Sequence, residues 1–261
     1  RKIVVVDGRV GFTGGINITD EENERIQHNA YRDLHLRMEG DVVRSLQVVF
    51  VEDWAYASGQ KRKDFEGTLL WNAAESGLQG SISAQVVVSG PDSSWEAIHR
   101  LHVAAIHEAR ERVWLVTPYF VPGEAARMAL TTAALGGLDV RLLVPKLSDS
   151  RLVTYAARSY FDELLAAGVK VHEYGPRMLH TKALLCDDGL AVIGSANFDH
   201  RSFRLNFEVS VLFRDRGIAA TLAQLIEGEL ASSEPVQDLR NRSLWRNRLP
   251  EALARLMSPL L

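Results

Sequence analysis

The chain repeats itself, and an internal repeat constrains a fold more strongly than composition does. Near the start, a lysine, an aspartate, a glycine-containing turn and an asparagine are separated by apolar residues. The same residue types return in the same order 180 positions later, with apolar residues again filling the gap. The repeat predicts two copies of one structural unit. The matched residues are Lys2, Asp7, Gly14, Gly15 and Asn17 in the first copy and Lys182, Asp187, Gly194, Ser195 and Asn197 in the second.

The second copy begins with His180, whose counterpart would stand immediately before Arg1. We expect a histidine at that position in the natural protein. A long segment with its own predicted strands and helices also precedes the second copy. Without an equivalent segment, the strands of the first copy would keep unpaired edges, so we expect a substantial half-domain before Arg1.

The coarse secondary structure agrees with a duplicated α/β unit divided into residues 1–90 and 91–261. The Ser-Gly-Pro-Asp sequence at 89–92 is the predicted boundary. A capping box at residues 93–96 predicts a helix that runs to Arg110. The predicted strands are 2–6, 10–13, 32–38, 84–89, 113–117, 140–144, 169–174, 182–186, 191–193 and 206–213. The other predicted helices are 41–57, 124–135 and 150–167, the first with Val42, Leu46, Val49, Phe50 and Trp54 on its apolar face.

Composition excludes several classes of protein. Apolar residues make up 46% of the 261 residues and charged residues 24%, as in a globular protein with a core. The net charge of −3 predicts no general attraction to nucleic acid. No apolar run approaches the roughly 20 residues of a membrane-spanning helix. The single cysteine, Cys186, forms no internal disulfide and is predicted to be a small buried side chain.

The residues of the second copy suit phosphoryl chemistry. His180 and Lys182 are two positions apart on a predicted strand, so their side chains lie on the same face. Asn197 follows a Gly-Ser turn at which the backbone can approach a ligand closely. A histidine, a lysine charge and an asparagine amide that converge can bind and attack a phosphate. Two such sets would allow one histidine to attack phosphorus while the other protonates the leaving oxygen, which suits a phosphodiester.

These motifs resemble the signature of the phospholipase D superfamily, complete in the second copy and without its leading histidine in the first. Over the whole chain, further segments resemble bacterial cardiolipin synthases. The resemblance implies the phospholipase D fold, an α/β fold of two similar lobes, each a mixed β-sheet flanked by helices. A pseudo-twofold axis relates the lobes, the active site lies at their interface, and the N-terminal lobe is truncated here. The further segments are 31–33, 117–122, 143–146, 148–150, 199–202 and 205–208.

The resemblance also implies a reaction. A phosphatidyltransferase of this kind makes cardiolipin from phosphatidylglycerol at the bacterial membrane, without a metal or a cofactor. A histidine attacks phosphorus and glycerol leaves, after which the terminal hydroxyl of a second phosphatidylglycerol takes the phosphatidyl group. The first-motif histidine is commonly the nucleophile, which makes His180 the general acid and then the base. Lys2, Lys182, Asn17 and Asn197 would hold the phosphate oxygens.

Strand alternation indicates which side chains orient the histidines. Glu208 shares a predicted strand face with Asn206, and Asp33 shares one with His35. We expect Glu208 to orient one catalytic histidine, and Asp33 or His35 to occupy the matching place for the other.

Several motif residues also fit less direct roles. Asp7 and Asp187 belong to the motif and are candidate catalytic residues, but each ends a strand and fits turn geometry or a structural ion pair better. Ser195 lacks the pattern of a nucleophilic serine, so we expect it to contact phosphate, with Gly194 and Gly15 beside it.

The remaining charged and aromatic groups yield weaker expectations. Tyr119 is expected near the lipid entrance. A group of acidic residues and a group of histidines are expected to be solvated. The arginine- and leucine-rich C-terminal stretch fits either an anionic membrane surface or packing against the domain. The solvated sets are Asp20, Glu21, Glu22 and Glu24 in a loop, and His99, His102 and His107 on a helix; the C-terminal stretch spans 239–256.

Three other functions are compatible with the same motifs. A hydrolytic phospholipase D would use water as the acceptor with identical catalytic residues. A phosphodiester nuclease would need a basic surface, which the net charge of −3 argues against. A non-catalytic lipid binder would follow if the first histidine were absent.

Overall fold

The computed structural model describes residues 1–65, 80–237 and 243–261 of the chain. Its α-helices pack on a large mixed β-sheet, and a smaller sheet lies beside it. The strands are β1 (Ile3–Val6), β2 (Val10–Gly14), β3 (His35–Glu39), β4 (Ser83–Ser89), β5 (Arg112–Val116), β6 (Phe120–Val121), β7 (Asp139–Pro145), β8 (Lys170–Tyr174), β9 (Ala183–Cys186), β10 (Leu190–Gly194), β11 (Phe198–Asp199), β12 (Glu208–Arg214) and β13 (Ser233–Pro235). The helices are α1 (Val42–Ser58), α2 (Ala97–Glu108), α3 (Glu124–Leu135), α4 (Arg151–Arg158), α5 (Phe161–Ala166), α6 (His200–Arg204), α7 (Arg216–Ala231) and α8 (Leu249–Leu256).

The large sheet has eight strands in the order β13-β8-β7-β5-β9-β10-β12-β4. Strands β5, β7 and β8 are parallel, because helical crossovers connect them. Strands β9, β10, β12 and β4 are antiparallel. The smaller sheet is antiparallel in the order β1-β2-β3, and β6 pairs with β11. This mixed α/β architecture agrees with the predicted fold class.

Alternating side chains of the large sheet build two hydrophobic cores on its opposite faces. Leu184 faces the core that contains α2, α3, α4 and α5. Leu185, the next residue of β9, faces the core that contains Leu222 of α7. That second core also receives Met38 and Leu46 from the first half of the chain. The two halves therefore share buried apolar contacts beside the site.

The repeated sequence forms the same hairpin twice. Strand β1 pairs with β2, and β9 pairs with β10, in the same antiparallel register 180 residues apart. Each turn begins with an aspartate in the left-handed region, with φ of 52° at Asp7 and 54° at Asp187. Aspartate tolerates this conformation better than most residues because its short side chain forms local hydrogen bonds.

The third strand of each copy follows the same register. His35 pairs with Gly14 at the end of β2, and Ser210 pairs with Gly194 at the end of β10. His35 and Ser210 are therefore counterparts, at an offset of 175 rather than 180, because the loops before them differ in length.

The division at residue 90 does not follow the sheets. Strand β4, which ends at Ser89, pairs along its whole length with β12 and closes the edge of the large sheet. The strand before the predicted boundary thus lies with the strands of the second half.

Two predicted helices differ from the structure. The segment 150–167 forms α4 and α5 rather than one helix, and the hydroxyl of Ser159 donates to the Ala156 carbonyl at the break. The capping box at 93–96 does not form. Glu96 has a left-handed φ of 46° and its carboxylate contacts His99 and Arg204, so α2 begins at Ala97.

The apolar face of α1 is only partly as predicted. Leu46 and Val49 are buried, whereas Phe50 and Trp54 are 47% and 50% exposed. The reason is that α1 packs against β4 and the narrow three-stranded sheet, which cover one side of the helix.

Cys186 and the histidines of α2 differ in how well they match the sequence-based expectations for their burial. Cys186 is buried, as predicted. His102 is also buried and its ring contacts the Ile98 carbonyl at 2.8 Å, so the prediction of a solvated residue is wrong. Burial lowers the pKa of His102 to about 4, which keeps the ring neutral. His99 is largely covered against Glu96, and His107 is exposed.

The C-terminal helix α8 packs against α4, which agrees with one of the two expectations for this stretch. Residues 239–242 of the predicted stretch lie outside the described residues. Exposed apolar side chains remain in this stretch, and they include Trp245 before α8 and Leu253 and Leu256 within it. Among the helices of the described ranges, none is long and apolar enough to cross a membrane.

Candidate active site

The site lies where the start of the second hairpin meets the first half of the chain. The main-chain N–H of His180 donates to the Arg32 carbonyl at 2.7 Å, and an isolated bridge joins Arg32 to Leu179. This pairing brings Asp33 to the ring of His180, where its Oδ2 lies 2.7 Å from Nδ1. The Asp33 side chain is 1% exposed. With Nδ1 held, the ring is oriented and Nε2 is left to give or take a proton.

Asp33 and Glu208 are equivalent positions of the repeat. Asp33 stands two residues before His35, and Glu208 stands two residues before its counterpart, Ser210. The carboxylate of the first copy therefore orients the histidine of the second copy. Of the two predicted alternatives, Asp33 is the one whose carboxylate contacts the His180 ring. Nδ1 of His35 is buried without a hydrogen-bond partner among the described residues.

Lys182 is the buried cation of the site. Its ammonium lies 3.4 Å from Asp33 and also donates to the His180 carbonyl. Burial, opposed by the charge of Asp33 and reinforced by the nearby charge of Lys2, lowers the pKa of Lys182 to about 8. A partly desolvated ammonium that remains charged near pH 7 can hold a phosphate oxygen strongly.

Glu22 is a site residue that the sequence analysis missed. It was predicted in a solvated loop, but its side chain is 2% exposed. Its carboxylate accepts hydrogen bonds from the main-chain N–H of Asn17 at 2.7 Å and from the Asn17 amide at 2.6 Å. It also lies 3.3 Å from Nδ1 of His180. The one sequence feature that could have indicated this contact is the five-residue spacing between Asn17 and Glu22. Asp20, Glu21 and Glu24 are exposed, as predicted.

The second copy places a different set of groups around its asparagine. The main-chain N–H of Asn197 donates to the hydroxyl of Ser202 at 3.1 Å. The Asn197 side chain interacts with the Asp199 carboxylate and opposes the rise that burial causes in the pKa of Asp199. The hydroxyl of Ser195 donates to Glu208. Burial raises the pKa of Glu208, opposed by the hydrogen bond from Ser195. Glu208 also lies next to the start of the first copy, because Nε of Arg1 donates to its main-chain carbonyl at 3.0 Å.

The motif glycines Gly15 and Gly194 have no room for a side chain. A Cβ at Gly15 would collide with the carboxylate of Asp33. A Cβ at Gly194 would collide with the Val209 carbonyl and with Ser210. The first collision involves the side chain just before β3, and the second involves the backbone of β12. The absence of a side chain at Gly15 leaves room for Asp33, and its absence at Gly194 leaves room for β12.

Tyr119 lies beside the second-copy asparagine. Its hydroxyl donates to both carboxylate oxygens of Asp149 at 2.8 Å, and burial together with this carboxylate raises the pKa of Tyr119. A cavity of about 340 Å³ is lined by Tyr119, Asp149, Asn197 and Asn206. A second cavity of about 670 Å³ lies at Asn17, Glu22, Tyr31 and Asp33.

Asp187 has a structural environment away from His180, at the other end of β9. Its carboxylate accepts hydrogen bonds from the main-chain N–H groups of Arg110, Glu111 and Arg112 at 2.9–3.1 Å. These bonds fix the entry to β5. Asp7 occupies the same turn position in the first copy and is exposed. The geometry favours the turn role for both aspartates over the catalytic one.

One group of metal-ligating atoms occurs among the described residues. Ligand atoms of Glu22, Asp33 and His180 lie within 4.8 Å of one another. The Lys182 ammonium beside Asp33 already supplies a positive charge there, and it would repel a cation.

The chain matches the family described as "Cardiolipin synthase, PLD-like domain" over residues 102–230. Two solved structures share its fold. The phospholipase D family member Nuc from Salmonella typhimurium superposes with a TM-score of 0.52 at 19% identity, over 60% of this chain and all of Nuc. Phosphatidylserine synthase from Haemophilus influenzae superposes with a TM-score of 0.73 at 14% identity, over all of this chain and 70% of that protein. By its match over residues 102–230 the chain is similar to the cardiolipin synthase group of phospholipase D-like proteins, and it has the fold of the phospholipase D superfamily.

Within that superfamily the chain is similar to bacterial cardiolipin synthases. It is 44% identical over its whole length to cardiolipin synthase 2 of Bacillus cereus. It is 41% identical to the cardiolipin synthase of Halalkalibacterium halodurans and 43% identical to that of Geobacillus thermodenitrificans. The chain spans about half of these relatives, 51% or 52% of their length.

Proposed function

We propose that the protein containing this chain is a phosphatidyltransferase that makes cardiolipin from phosphatidylglycerol. The identity of 41–44% to cardiolipin synthases over the whole chain supports this substrate and product. The single observation that carries the chemistry is the buried contact between His180 of the second copy and Asp33 of the first. It prepares a histidine for proton transfer beside a buried ammonium.

In the proposed reaction, Lys2, Lys182, Asn17 and Asn197 bind the non-bridging oxygens of a phosphodiester. Lysine charges and amide N–H groups stabilise the negative charge that grows on these oxygens in the transition state. His180, with Asp33 at Nδ1, donates a proton from Nε2 to the glycerol oxygen as the bond to phosphorus breaks. Asp33 stabilises the imidazolium before this transfer.

The nucleophile in this proposal is the histidine expected immediately before Arg1. The equivalence of Asp33 and Glu208 supports it, since Glu208 lies beside Arg1 and would orient such a histidine as Asp33 orients His180. Attack gives a phosphatidyl-histidine. His180, now neutral, then removes a proton from the hydroxyl of a second phosphatidylglycerol, which takes the phosphatidyl group.

The substrates place the reaction at a bacterial membrane surface in this proposal. Phosphatidylglycerol remains in its bilayer, so the site must face the headgroup layer. The cavities at Asn17 and at Tyr119 are the candidate entrances for the donor and acceptor headgroups.

The test uses the full-length gene product in vesicles of isotopically labelled phosphatidylglycerol, with lipid products resolved by mass. Cardiolipin together with free glycerol is the expected result. Phosphatidic acid alone would mean that water is the acceptor and that the protein is a hydrolase. No lipid product, together with cleavage of a nucleic acid substrate, would overturn the proposal in favour of a nuclease.

A further inference from the structure

The loops that follow the two motif asparagines are equivalent but carry different side chains. Glu22 stands five residues after Asn17, and Ser202 stands five residues after Asn197. Each accepts a hydrogen bond from the main-chain N–H of its asparagine, at 2.7 Å and 3.1 Å. The 180-residue offset of the repeat therefore extends to this pair.

In the second copy, two residues hold Asn197. The Ser202 hydroxyl accepts from the main-chain N–H. The Asp199 carboxylate interacts with the Asn197 side chain, which opposes the rise that burial causes in the pKa of Asp199. Asp199 also accepts from the main-chain N–H of Ser202 at 2.7 Å, which fixes the loop.

In the first copy, one carboxylate performs both tasks. Glu22 accepts from the main-chain N–H and from the amide of Asn17. Thr19 stands where the second copy has Asp199, and the two residues have the same backbone conformation, with φ and ψ of −137° and 163° at Thr19 and −141° and 167° at Asp199. The longer side chain of Glu22 replaces both Ser202 and Asp199.

We propose that Glu22 is a positioning residue that holds the Asn17 amide in the orientation needed to bind a phosphate oxygen. The inference deepens the proposed function and rests on the phosphate-binding role assigned there to Asn17. A primary amide has two N–H donors. One donates to Glu22, so the rotation of the amide is fixed and the second donor has a defined direction.

A carboxylate so close to a phosphate site could instead obstruct it, but the second copy argues against obstruction. There, too, the main-chain N–H is bonded within the chain, and a carboxylate interacts with the side chain of the asparagine. Glu22 therefore occupies the supporting side of its asparagine, as Asp199 and Ser202 do.

The experiment transfers the second-copy arrangement into the first copy of the full-length protein. Glu22→Ser leaves a hydroxyl that is too short to hold the amide. Adding Thr19→Asp supplies a carboxylate at the position equivalent to Asp199. Glu21→Ser is the matched control, because Glu21 is an exposed carboxylate on the same turn. The dissociation constant for inorganic phosphate and kcat/KM with phosphatidylglycerol vesicles are measured for all variants.

We expect Glu22→Ser to weaken phosphate binding and to lower kcat/KM by about tenfold, the effect of one well-placed hydrogen bond. We expect the double variant Thr19→Asp/Glu22→Ser to recover to within about threefold of the wild type, and Glu21→Ser to be unchanged. A general loss of structure would not be rescued by a second substitution.

Tighter phosphate binding by Glu22→Ser would overturn the inference, because it would mean that the carboxylate obstructs the site. Unchanged binding and turnover in Glu22→Ser would also overturn it while leaving the proposed function intact. A wild-type protein that neither binds phosphate nor produces a lipid product would overturn the proposed function itself, and with it the role of Glu22.

Discussion

The two copies of the repeat have the same backbone in different surroundings. The second hairpin, β9 and β10, lies in the middle of the eight-stranded sheet, and every residue of both strands is buried. The first hairpin, β1 and β2, lies in a three-stranded sheet, and alternate residues of β1 are exposed. The local sequence therefore determines the hairpin and its turn, while tertiary contacts determine the burial and the surroundings of each copy.

The difference is most consequential at the carboxylates. Asp33 and Glu208 occupy equivalent positions, but Asp33 contacts His180 whereas Glu208 accepts from Ser195. Gly15 stands where the second copy has Ser195, and only glycine leaves room for Asp33. The two halves of the site have similar backbones, but their carboxylates contact different groups. This difference permits different roles for two histidines.

The largest effect is expected from His180→Ala. Loss of the proton donor and acceptor should lower kcat by roughly 10⁴-fold or more with phosphatidylglycerol vesicles. Thermal unfolding should change little, and the exposed His107→Ala is the control. Near-normal turnover in His180→Ala would refute the assigned role.

Asp33→Asn tests the contact between the copies. The amide retains the shape but cannot stabilise an imidazolium, so kcat should fall by roughly 10³-fold. Glu208→Gln, at the equivalent position, provides the direct comparison. A larger loss in Glu208→Gln with an unaffected Asp33→Asn would mean that the orienting role belongs to the other copy alone.

Gly15→Ala should displace Asp33 from the ring of His180, because the added Cβ collides with its carboxylate. We expect kcat/KM to fall by roughly 10²-fold, the usual effect of misplacing a catalytic group by about 1 Å. Gly189→Ala is the matched control, since its Cβ meets no atom within 4 Å. Equal activities of the two variants would contradict the packing argument.

The pH dependence of phosphate binding reports on Lys182. Its pKa of about 8 means that the ammonium is charged below pH 8 and neutral above it. Affinity for inorganic phosphate should therefore decline as pH rises through 8, by up to tenfold per pH unit. Lys182→Met should bind weakly and show no decline in this range. An affinity that stays constant from pH 7 to pH 10 in the wild type would exclude the ammonium as a phosphate ligand.

The smallest effect on activity is expected from Asp187→Asn, which separates the turn role from the catalytic role. Weakening the hydrogen bonds to residues 110–112 should lower the free energy of unfolding by about 1–3 kcal/mol. Turnover per folded molecule should remain within about threefold of the wild type. Denaturant unfolding and specific activity distinguish the two roles, and a large loss of turnover at unchanged stability would make Asp187 catalytic.

The sequence predicted the parts of the molecule that local patterns encode. The repeat identified both hairpins, the motif residues and the strand faces of Asp33 and Glu208, because the 180-residue offset and the alternation of strands are direct properties of the chain. It did not predict that Glu22 is buried or that His102 is, since both depend on segments distant in sequence. It also left Asp33 and His35 open as alternatives, because the pairing of Arg32 with Leu179, which brings Asp33 to His180, joins segments distant in sequence.

The central claim is that the two copies form one site that transfers a phosphatidyl group through a histidine. The direct test incubates full-length His180→Ala with a phosphatidyl ester whose leaving group is p-nitrophenolate, which departs without an acid catalyst, and measures the intact protein mass. We expect a covalent phosphatidyl adduct on the histidine expected at the start of the first copy. This adduct should accumulate because His180→Ala has no base to activate an acceptor. An adduct on Ser195, or p-nitrophenolate release without any covalent adduct, would contradict it.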